Sequence, residues 1–409
     1  MTPACRLCAA ALRRSFCDLG MQPLSNAYLS AAQLNAAERF FPLHAYVCDA
    51  CLLVQLEQFE SPEAIFSEYA YFSSYSDSWL AHAERYAAAM IARFGIGSSS
   101  HVVEIASNDG YLLQYFKKRG VPVLGVEPAA NVARAAEERG IPTRVEFFGA
   151  ACAARLAAAG QQADLAVANN VLAHVPDLND FVEGLRILLA PGGVSTCEFP
   201  HLLKLFLGNQ FDTIYHEHFS YFSLLAVQRA FAAHALTVFD VEELPTHGGS
   251  LRVFLRHAGE ASRAPGANVA KVLSDERAAG LDRVERYAAF QERVSETKRA
   301  LLDFLIRAKR AGKSIAAYGA AAKGNTLLNY CGVRGDFIDY VADRSPHKQG
   351  RYLPGTHLPI APPERIRETR PDYLLILPWN LREEVMEQNG FIRQWGGQFV
   401  VPIPTVAVL

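Results

Sequence analysis

Three groupings of residues in this 409-residue sequence carry side chains that do chemistry. The densest is Tyr215-His216-Glu217-His218, which runs into Phe219-Ser220-Tyr221-Phe222. An imidazole titrates near neutrality and can take a proton from a carbon beside a carbonyl. A phenol or a second imidazole next to it can stabilise the enolate oxygen that results. If the segment is extended, Tyr215 and Glu217 share one face and His216 and His218 the other. Two further readings of the same residues stand beside proton abstraction. One is a metal site, because His and Glu are good ligands; the other is a polar turn capping a helix.

The second grouping is Cys5-Arg6-Leu7-Cys8 with Cys48-Asp49-Ala50-Cys51. Each pair can present two thiolates to one tetrahedral Zn²⁺, and together Cys5, Cys8, Cys48 and Cys51 complete a Cys₄ site. The separation of the pairs is longer than in a common zinc ribbon. So small a segment has little core of its own, so a metal would supply much of its folding free energy. Four thiolates leave no open coordination position, so the zinc is expected to be structural. Neither pair stands at a strand-to-helix junction, which weakens a redox reading. Cys17 is an alternative ligand but reads better as a buried thiol, as do Cys152, Cys197 and Cys331.

The third grouping begins at Val102-Val103-Glu104-Ile105-Ala106-Ser107-Asn108-Asp109-Gly110. A buried strand runs into a short polar loop, and a helix is expected to start near Tyr111. Gly110 allows a ligand to approach the backbone closely. The loop stands at the carboxyl end of a strand, where open α/β sheets bind ligands. The next strand ends in Glu127-Pro128, with an acidic residue placed to accept hydrogen bonds from ribose hydroxyls. A later strand ends in Asn169-Asn170 and leads to Val171-Leu172-Ala173-His174. The G-x-G-x-x-G fingerprint of nicotinamide-binding domains is absent.

The elements that must position these residues follow from periodicity. Apolar residues at helical spacing predict a helix over 77–94. From 101 to 256 short β-branched runs alternate with Ala-rich runs, the pattern of a parallel α/β sheet. The polar, proline-poor stretch 273–310 predicts one or two helices between domains. Buried strands are then expected at 314–318, 337–342 and 373–377. The first of these leads into Gly319, and Ala320–Asn325 opens a helix whose N–H groups, with Lys323 as a point charge, can hold phosphate. Tight strand–helix packing explains the same small residues equally well. Asp343-Arg344-Ser345-Pro346 reads as a second-strand loop or a turn. His44, His82 and His234 read as surface or satisfied histidines.

Length and composition bound the function. A chain of 409 residues suggests two or three domains. A net charge of −2 gives no reason to expect nucleic acid or an acidic membrane as partner. No apolar run is long enough to span a bilayer. The first residues lack the basic-then-apolar pattern of a signal peptide, so a cytoplasmic location is expected.

The order Glu104–Gly110 loop, acidic second strand and Asn169-Asn170-Val171-x-x-His174 resembles the class I methyltransferases. Over essentially the whole chain the sequence resembles the C-methyltransferases that act on nucleotide-linked deoxysugars. The resemblance rests on both C-x-x-C pairs, Leu24-Ser25-Asn26, Tyr69-Ala70-Tyr71-Phe72-Ser73-Ser74-Tyr75-Ser76, the Glu104–Gly110 loop, Tyr215–His218, His247-Gly248-Gly249-Ser250-Leu251-Arg252, and Tyr318-Gly319-Ala320-Ala321-Ala322-Lys323-Gly324-Asn325.

The resemblance implies an α/β protein of three parts. These are a zinc-binding domain over 1–65, a class I methyltransferase (Rossmann-like) domain over 66–265, and a C-terminal Rossmann-like domain over 266–409 that helps enclose the nucleotide sugar. It implies S-adenosylmethionine as methyl donor, held by Glu104, Ser107, Asn108, Asp109, Gly110, Glu127, Pro128, Asn169 and Asn170. His218 is the implied general base, with His216 as the alternative. Tyr215 and Glu217 orient base or sugar, and His174 lies near the keto group. Tyr69, Tyr71, Ser74, Tyr75, His247, Lys323 and Asn325 are implied substrate contacts. The implied partner is a keto sugar, commonly carried on thymidine diphosphate, and the implied state a monomer. Methylation at sugar oxygen or nitrogen, a zinc-containing methyltransferase acting on RNA or protein, and a non-catalytic nucleotide-sugar binder are the competing functions.

Overall fold

The computed structural model describes residues 2–61, 73–75, 77–260 and 263–409. Tyr69 and Tyr71, two of the expected substrate contacts, lie outside the described residues, as does the side chain of Tyr75.

The Cys-punctuated N-terminus folds as three antiparallel strands, β1 (Arg14–Gln22), β2 (Phe41–Val47) and β3 (Val54–Leu56). Leu43, Ala45 and Val47 are buried at alternate positions of β2, the period of a half-covered sheet. The central part contributes β4 (Val102–Ile105), β5 (Val123–Val126), β6 (Thr143–Arg144), β7 (Ala163–Asn169) and β8 (Leu189–Pro200). All residues of β4 and β5 are buried, as expected of strands covered on both faces by helices. Next comes the short β9 (Ser220–Tyr221), which leaves the central sheet and pairs antiparallel with β3, Val54 opposite Tyr221 and Gln55 opposite Ser220. The residues just after the Tyr-His-Glu-His cluster are therefore the fourth strand of the N-terminal sheet. The strands β10 (Leu236–Leu244) and β11 (Ser250–His257) complete the central sheet.

The central order is β10-β11-β8-β7-β4-β5-β6. Strands β4 to β8 are parallel, and β11 runs antiparallel to β8 and β10. The last strand of this sheet, β11, thus slots between the two that precede it there, β8 and β10, which is the class I methyltransferase arrangement. The chain moves outward from β4 to β6 and then returns to β7, so the switch point, where such sheets bind ligands, lies between β4 and β7.

The C-terminal sheet has the order β14-β13-β12-β15-β16-β17, from β12 (Ile315–Tyr318), β13 (Val341–Ala342), β14 (Ile360–Ala361), β15 (Tyr373–Ile376), β16 (Gln398–Val401) and β17 (Ala407–Val408). It is parallel apart from β17, and its own switch point falls between β12 and β15. The strand expected over 337–342 is shorter, Val341–Ala342 alone. Its first residues close a turn, with the Phe337 and Ile338 N–H groups on the Arg334 carbonyl at 3.0 and 3.1 Å.

The polar stretch before this sheet forms two helices, Ala267–Ala278 and Phe290–Arg310. Phe290 stacks on Phe16 of β1 with ring centres 4.6 Å apart. Leu301 and Leu305 share one apolar core with Leu43, Val54, Ile315 and Leu327. The long helix therefore welds the N-terminal sheet to the C-terminal one. Glu276 of the preceding helix is wholly buried and accepts from His201 Nε2 at 2.7 Å and from the N–H groups of Leu224 and Leu225. Glu276→Ala strands three buried donors and should lower stability by about 3–5 kcal/mol, read as a shift in the urea midpoint.

Candidate active site and zinc centre

The four knuckle cysteines converge. Their Sγ atoms all lie within 4.8 Å of one another, with Cys5–Cys51 and Cys8–Cys48 each at 3.5 Å. Tetrahedral sulfurs about 2.3 Å from a zinc stand roughly 3.8 Å apart, so the set fits the ion. The Cys51 hydrogen bond draws the Cys5 thiol down to about 4 and pushes Cys51 up. Gln55 Nε2 donates to Cys5 Sγ at 3.1 Å, and Gln55 sits opposite Ser220 in the β3–β9 pair. Among the described residues no other group of His, Cys, Asp or Glu converges in this way, so the metal reading of Tyr215–His218 finds no support.

The loop after β4 is tightly wound. Ala106, Asn108 and Gly110 all have positive φ, 52°, 50° and 75°. A left-handed alanine costs about 1–2 kcal/mol, and asparagine less. The Glu127 carboxylate holds the strained loop by accepting from Asn108 N–H at 3.0 Å and from Ala129 N–H at 2.9 Å. The expected role of Gly110 needs correction. A Cβ there would meet Ile141 Cγ1 at 2.9 Å and Ala136 Cβ at 3.4 Å, so the glycine serves backbone angle and packing rather than a ligand. The helix also begins later than expected, at Leu113, because residues 108–112 are used up in turns. Ser107 is wholly buried beneath Gly125, where a Cβ would overlap its hydroxyl. Asp109 pairs with Arg139 at 2.8 Å and accepts from the Ser74 hydroxyl, while Asn108 Oδ1 accepts from Ser73 N–H at 2.9 Å.

Several buried polar atoms at this edge have no partner among the described residues: Glu104 Oε2, Asp109 Oδ1, Asn169 Oδ1 and Asn170 Nδ2. Orphaned polar groups at a sheet's switch point fit a polar cofactor with amino, carboxylate and purine groups. Burial, together with the nearby Glu127 and Asp109 carboxylates, raises Glu104 well above the usual carboxylate range. Pro128 is half-buried just ahead of the helix Ala130–Glu138.

Across the carboxyl edge lies the Tyr-His-Glu-His cluster. The segment Tyr215–His218 is a turn, not an extended strand, with His218 N–H on the Tyr215 carbonyl at 2.8 Å. The expected alternation of faces is therefore replaced by an i, i+3 meeting, in which the Tyr215 hydroxyl lies 2.7 Å from His218 Nε2. His218 Nδ1 lies 3.0 Å from the Thr213 carbonyl, and His174 Nδ1 lies 2.8 Å from the Glu217 carbonyl. A carbonyl only accepts, so in both rings Nδ1 carries the hydrogen and Nε2 the lone pair. The two imidazoles meet edge to face with centres 4.7 Å apart. His216 is not in this group: it is buried, faces the Pro42 carbonyl at 3.2 Å and packs against the rings of Phe41 and Phe59. The Glu217 carboxylate also turns away, accepting from Asn26 Nδ2 at 2.7 Å.

Burial pushes His174 and His247 down to about 4 and His218 well below the usual imidazole range. The His174 ring adds to the fall at His218, and the Lys323 ammonium adds to it at both His218 and His247. Lys323 lies 4.9 Å from the Trp379 ring centre and donates to Asn380 at 2.8 Å. Trp379 in turn donates to buried Asp212 at 2.7 Å, a carboxyl that burial raises to about 6. Asn325 is buried with Nδ2 unpartnered. His247, at φ 56°, meets the edge of Trp79, which stacks on His82. His82 and Arg252 both pair with buried Glu198, at 3.2 and 2.8 Å, so His82 is a satisfied histidine as expected. Asn26, Trp79, Glu198, Asp212 and Trp379 were not singled out as site residues from the sequence. Each stands far along the chain from the groups it serves, and no local spacing marks it.

Three family models match in chain order: a zinc binding domain over residues 5–66, a methyltransferase domain over 79–241 and a C-methyltransferase C-terminal domain over 245–404. Together with the fold and the cysteine cluster they define a zinc-binding, S-adenosylmethionine-dependent methyltransferase. The C-methyltransferase NovU of Streptomyces niveus is 36% identical over 406 residues, 99% of this chain and 96% of that protein, and the chain belongs to the same family of C-methyltransferases. Among solved structures, magnesium protoporphyrin IX methyltransferase from Synechocystis PCC 6803 with bound S-adenosylmethionine is 12% identical, with a TM-score of 0.33 over 43% of this chain and 78% of that one. The CcbJ methyltransferase from Streptomyces caelestis is 14% identical, with a TM-score of 0.35 over 43% of this chain and 90% of that one.

Two outcomes follow from this geometry. The purified protein should carry one zinc per chain, and a cobalt-substituted form should show a tetrahedral thiolate spectrum that S-adenosylmethionine leaves unchanged, as a closed site requires. The unfolded chain's histidines titrate near 6.5, so between about pH 6.5 and 4 it binds a proton that His174 refuses. Stability should rise with pH across that window, and the thermal midpoint should fall on going from pH 6.5 to 5, above the carboxylate range.

Proposed function

We propose that this C-methyltransferase acts on a keto sugar carried by a nucleoside diphosphate, and that the Tyr215–His218 pair removes the proton beside the ketone. One observation carries the proposal: the Thr213 carbonyl fixes the hydrogen of His218 on Nδ1, leaving Nε2 as an acceptor 2.7 Å from the Tyr215 hydroxyl. The depressed basicity of the buried ring keeps it neutral at physiological pH and free to accept. As the substrate C–H bond breaks, the proton passes to Nε2, either directly or by entering at the tyrosine oxygen while the phenol's own hydrogen crosses to the ring. The electrons of that bond become the enolate. S-adenosylmethionine supplies the electrophilic methyl group when bound. Its holders are Glu104, Ser107, Asn108, Asp109, Glu127, Pro128, Asn169 and Asn170, with Gly110 setting the turn of the loop, at an edge where Glu104, Asp109, Asn169 and Asn170 have buried polar atoms without a partner among the described residues.

His174 and His247 flank the reacting carbon and its oxygen, and Lys323 supplies the positive charge nearest them. The N-terminus of the helix Ala322–Cys331, with Lys323 and the Asn325 Nδ2 group that has no partner among the described residues, stands at the second switch point and suits the diphosphate end of the substrate. Ser74, hydrogen-bonded to Asp109, sits between cofactor edge and cleft. A basic face for RNA or protein is missing from the sequence, where charges of both signs alternate, and this favours a small substrate.

The test is incubation with S-adenosylmethionine and a panel of thymidine-diphosphate 4-keto sugars in heavy water. Gain of one methyl group at a carbon that also exchanges hydrogen supports the proposal; neither methylation nor exchange with any of them rejects it. His218→Asn should lower kcat by about 10²–10⁴-fold, and Tyr215→Phe should lower it less if the ring accepts directly. Near-normal turnover of His218→Asn would remove His218 as the base.

A further inference from the structure

We propose that Asn26, from the zinc-bound part of the chain, is a positioning residue for the histidine pair. The segment Ser25–Leu29 follows β1 directly and lies where all three sheets' neighbourhoods meet. Toward the C-terminal part it is clamped by several bonds. Leu29 and Tyr352 exchange backbone hydrogen bonds at 3.0 and 2.9 Å, and the Tyr28 hydroxyl donates to the Ala320 carbonyl at 2.7 Å. Ser25 Oγ lies 3.4 Å from Thr326 Oγ1, and Lys348 reaches the same Ala320 carbonyl at 2.8 Å. Toward the central part the segment makes one polar contact with the cluster, Asn26 Nδ2 to Glu217 Oε1 at 2.7 Å.

That contact reaches the chemistry through the backbone of Glu217. The side chain of Glu217 is buried, and burial raises its carboxyl, which the Asn26 amide counters. Its carbonyl accepts the Nδ1 hydrogen of His174, which packs edge to face on His218. Loss of the amide leaves a buried carboxylate without its donor, and such a group reorients toward water or takes up a proton. Either response moves the Glu217 peptide and releases the tautomer of His174. Asn26 touches neither imidazole, so it acts only through Glu217. Leu24-Ser25-Asn26 is thereby accounted for as the clasp by which the zinc-bound sheet completes the active site.

The proposal rests on His174 and His218 being the proton-handling pair, but its main test needs no sugar. Full-length, zinc-loaded protein labelled with ¹⁵N-histidine is examined by long-range ¹H–¹⁵N correlation, with the His174 signals assigned from His174→Asn. The wild type should show a single Nδ1–H tautomer at His174. Asn26→Asp, which sets a carboxylate against a carboxylate, should replace it with an averaged or charged signal. Glu217→Gln alone should leave it intact, because the new amide oxygen still accepts from Asn26. The double variant N26D/E217Q should restore it, with donor and acceptor exchanged. Zinc content and S-adenosylmethionine affinity should stay within twofold throughout. An unmoved His174 signal in Asn26→Asp, no recovery in the double variant, or a change that tracks loss of zinc would overturn the proposal. Turnover is the second arm: Asn26→Asp should lower kcat at least tenfold with KM for S-adenosylmethionine within twofold. If the wild type methylates none of the keto sugars, the substrate reading fails while the spectra still decide the role of Asn26.

Discussion

A polar stretch of chain, residues 213–221, is largely buried where three sheets meet, and the partners its hydrogen-bonding groups find there fix its shape, although His216 Nδ1, Ser220 Oγ and Tyr221 OH have none among the described residues. Each buried group left without one costs about 1–3 kcal/mol. The imidazoles of His218 and His174 take the carbonyls of Thr213 and Glu217, the Glu217 carboxylate takes Asn26, and Ser220–Tyr221 takes the free edge of β3. Satisfying the backbone and orienting the reactive side chains are thus the same set of bonds. The four-thiolate centre bears on this stretch through β3, whose Gln55 donates to Cys5 Sγ and stands opposite Ser220.

The same burial sets the electrostatics. The half-buried imidazoles of His174 and His218, packed on one another and near the Lys323 ammonium, are held neutral, and neutral rings can accept protons. Lys323 remains in the cleft because Asp212 offsets it and the Trp379 ring lies beneath it. On the cofactor side the order is reversed: Glu104, Asp109 and Glu127 gather carboxylates around a loop with a left-handed alanine and asparagine, the asparagine N–H held by Glu127, whose other oxygen is fixed by Ala129 N–H. One edge of the sheet is thereby acidic, and the facing cleft carries neutral imidazoles beside one ammonium. That polarity suits a cationic methyl donor meeting a carbon that loses a proton.

Local pattern was enough to read much of this. The all-apolar strands at 102–105 and 123–126, the helix at 77–94 and the paired cysteines follow from periods and spacings only a few residues long. Such patterns report which face of an element is buried and which thiols can share an ion. The short strand at 341–342 was harder to bound, since a turn closed by Arg334 uses apolar residues that resemble a strand's. At Tyr215–His218 a turn was one of three readings, and nothing local singled it out. The alternating types fit an extended chain, and only the pull of the Thr213 carbonyl and the β3 edge selects the bend.

By itself, then, the sequence determined the inventory: a four-thiolate centre, a methyltransferase sheet with an acidic loop, a second α/β sheet, and a tyrosine and histidines able to move a proton. These depend on residue type and on neighbours close along the chain. Tertiary structure alone decided which of them work together. It paired Tyr215 with His218 and His174, sent His216 to the Pro42 carbonyl, and gave Gly110 to Ile141 instead of to a ligand. It also brought Asn26 to Glu217, across 191 positions. Those choices turn on partners far along the chain, and the cost of leaving a buried polar group unpaired selects among them only once the sheets have closed around it.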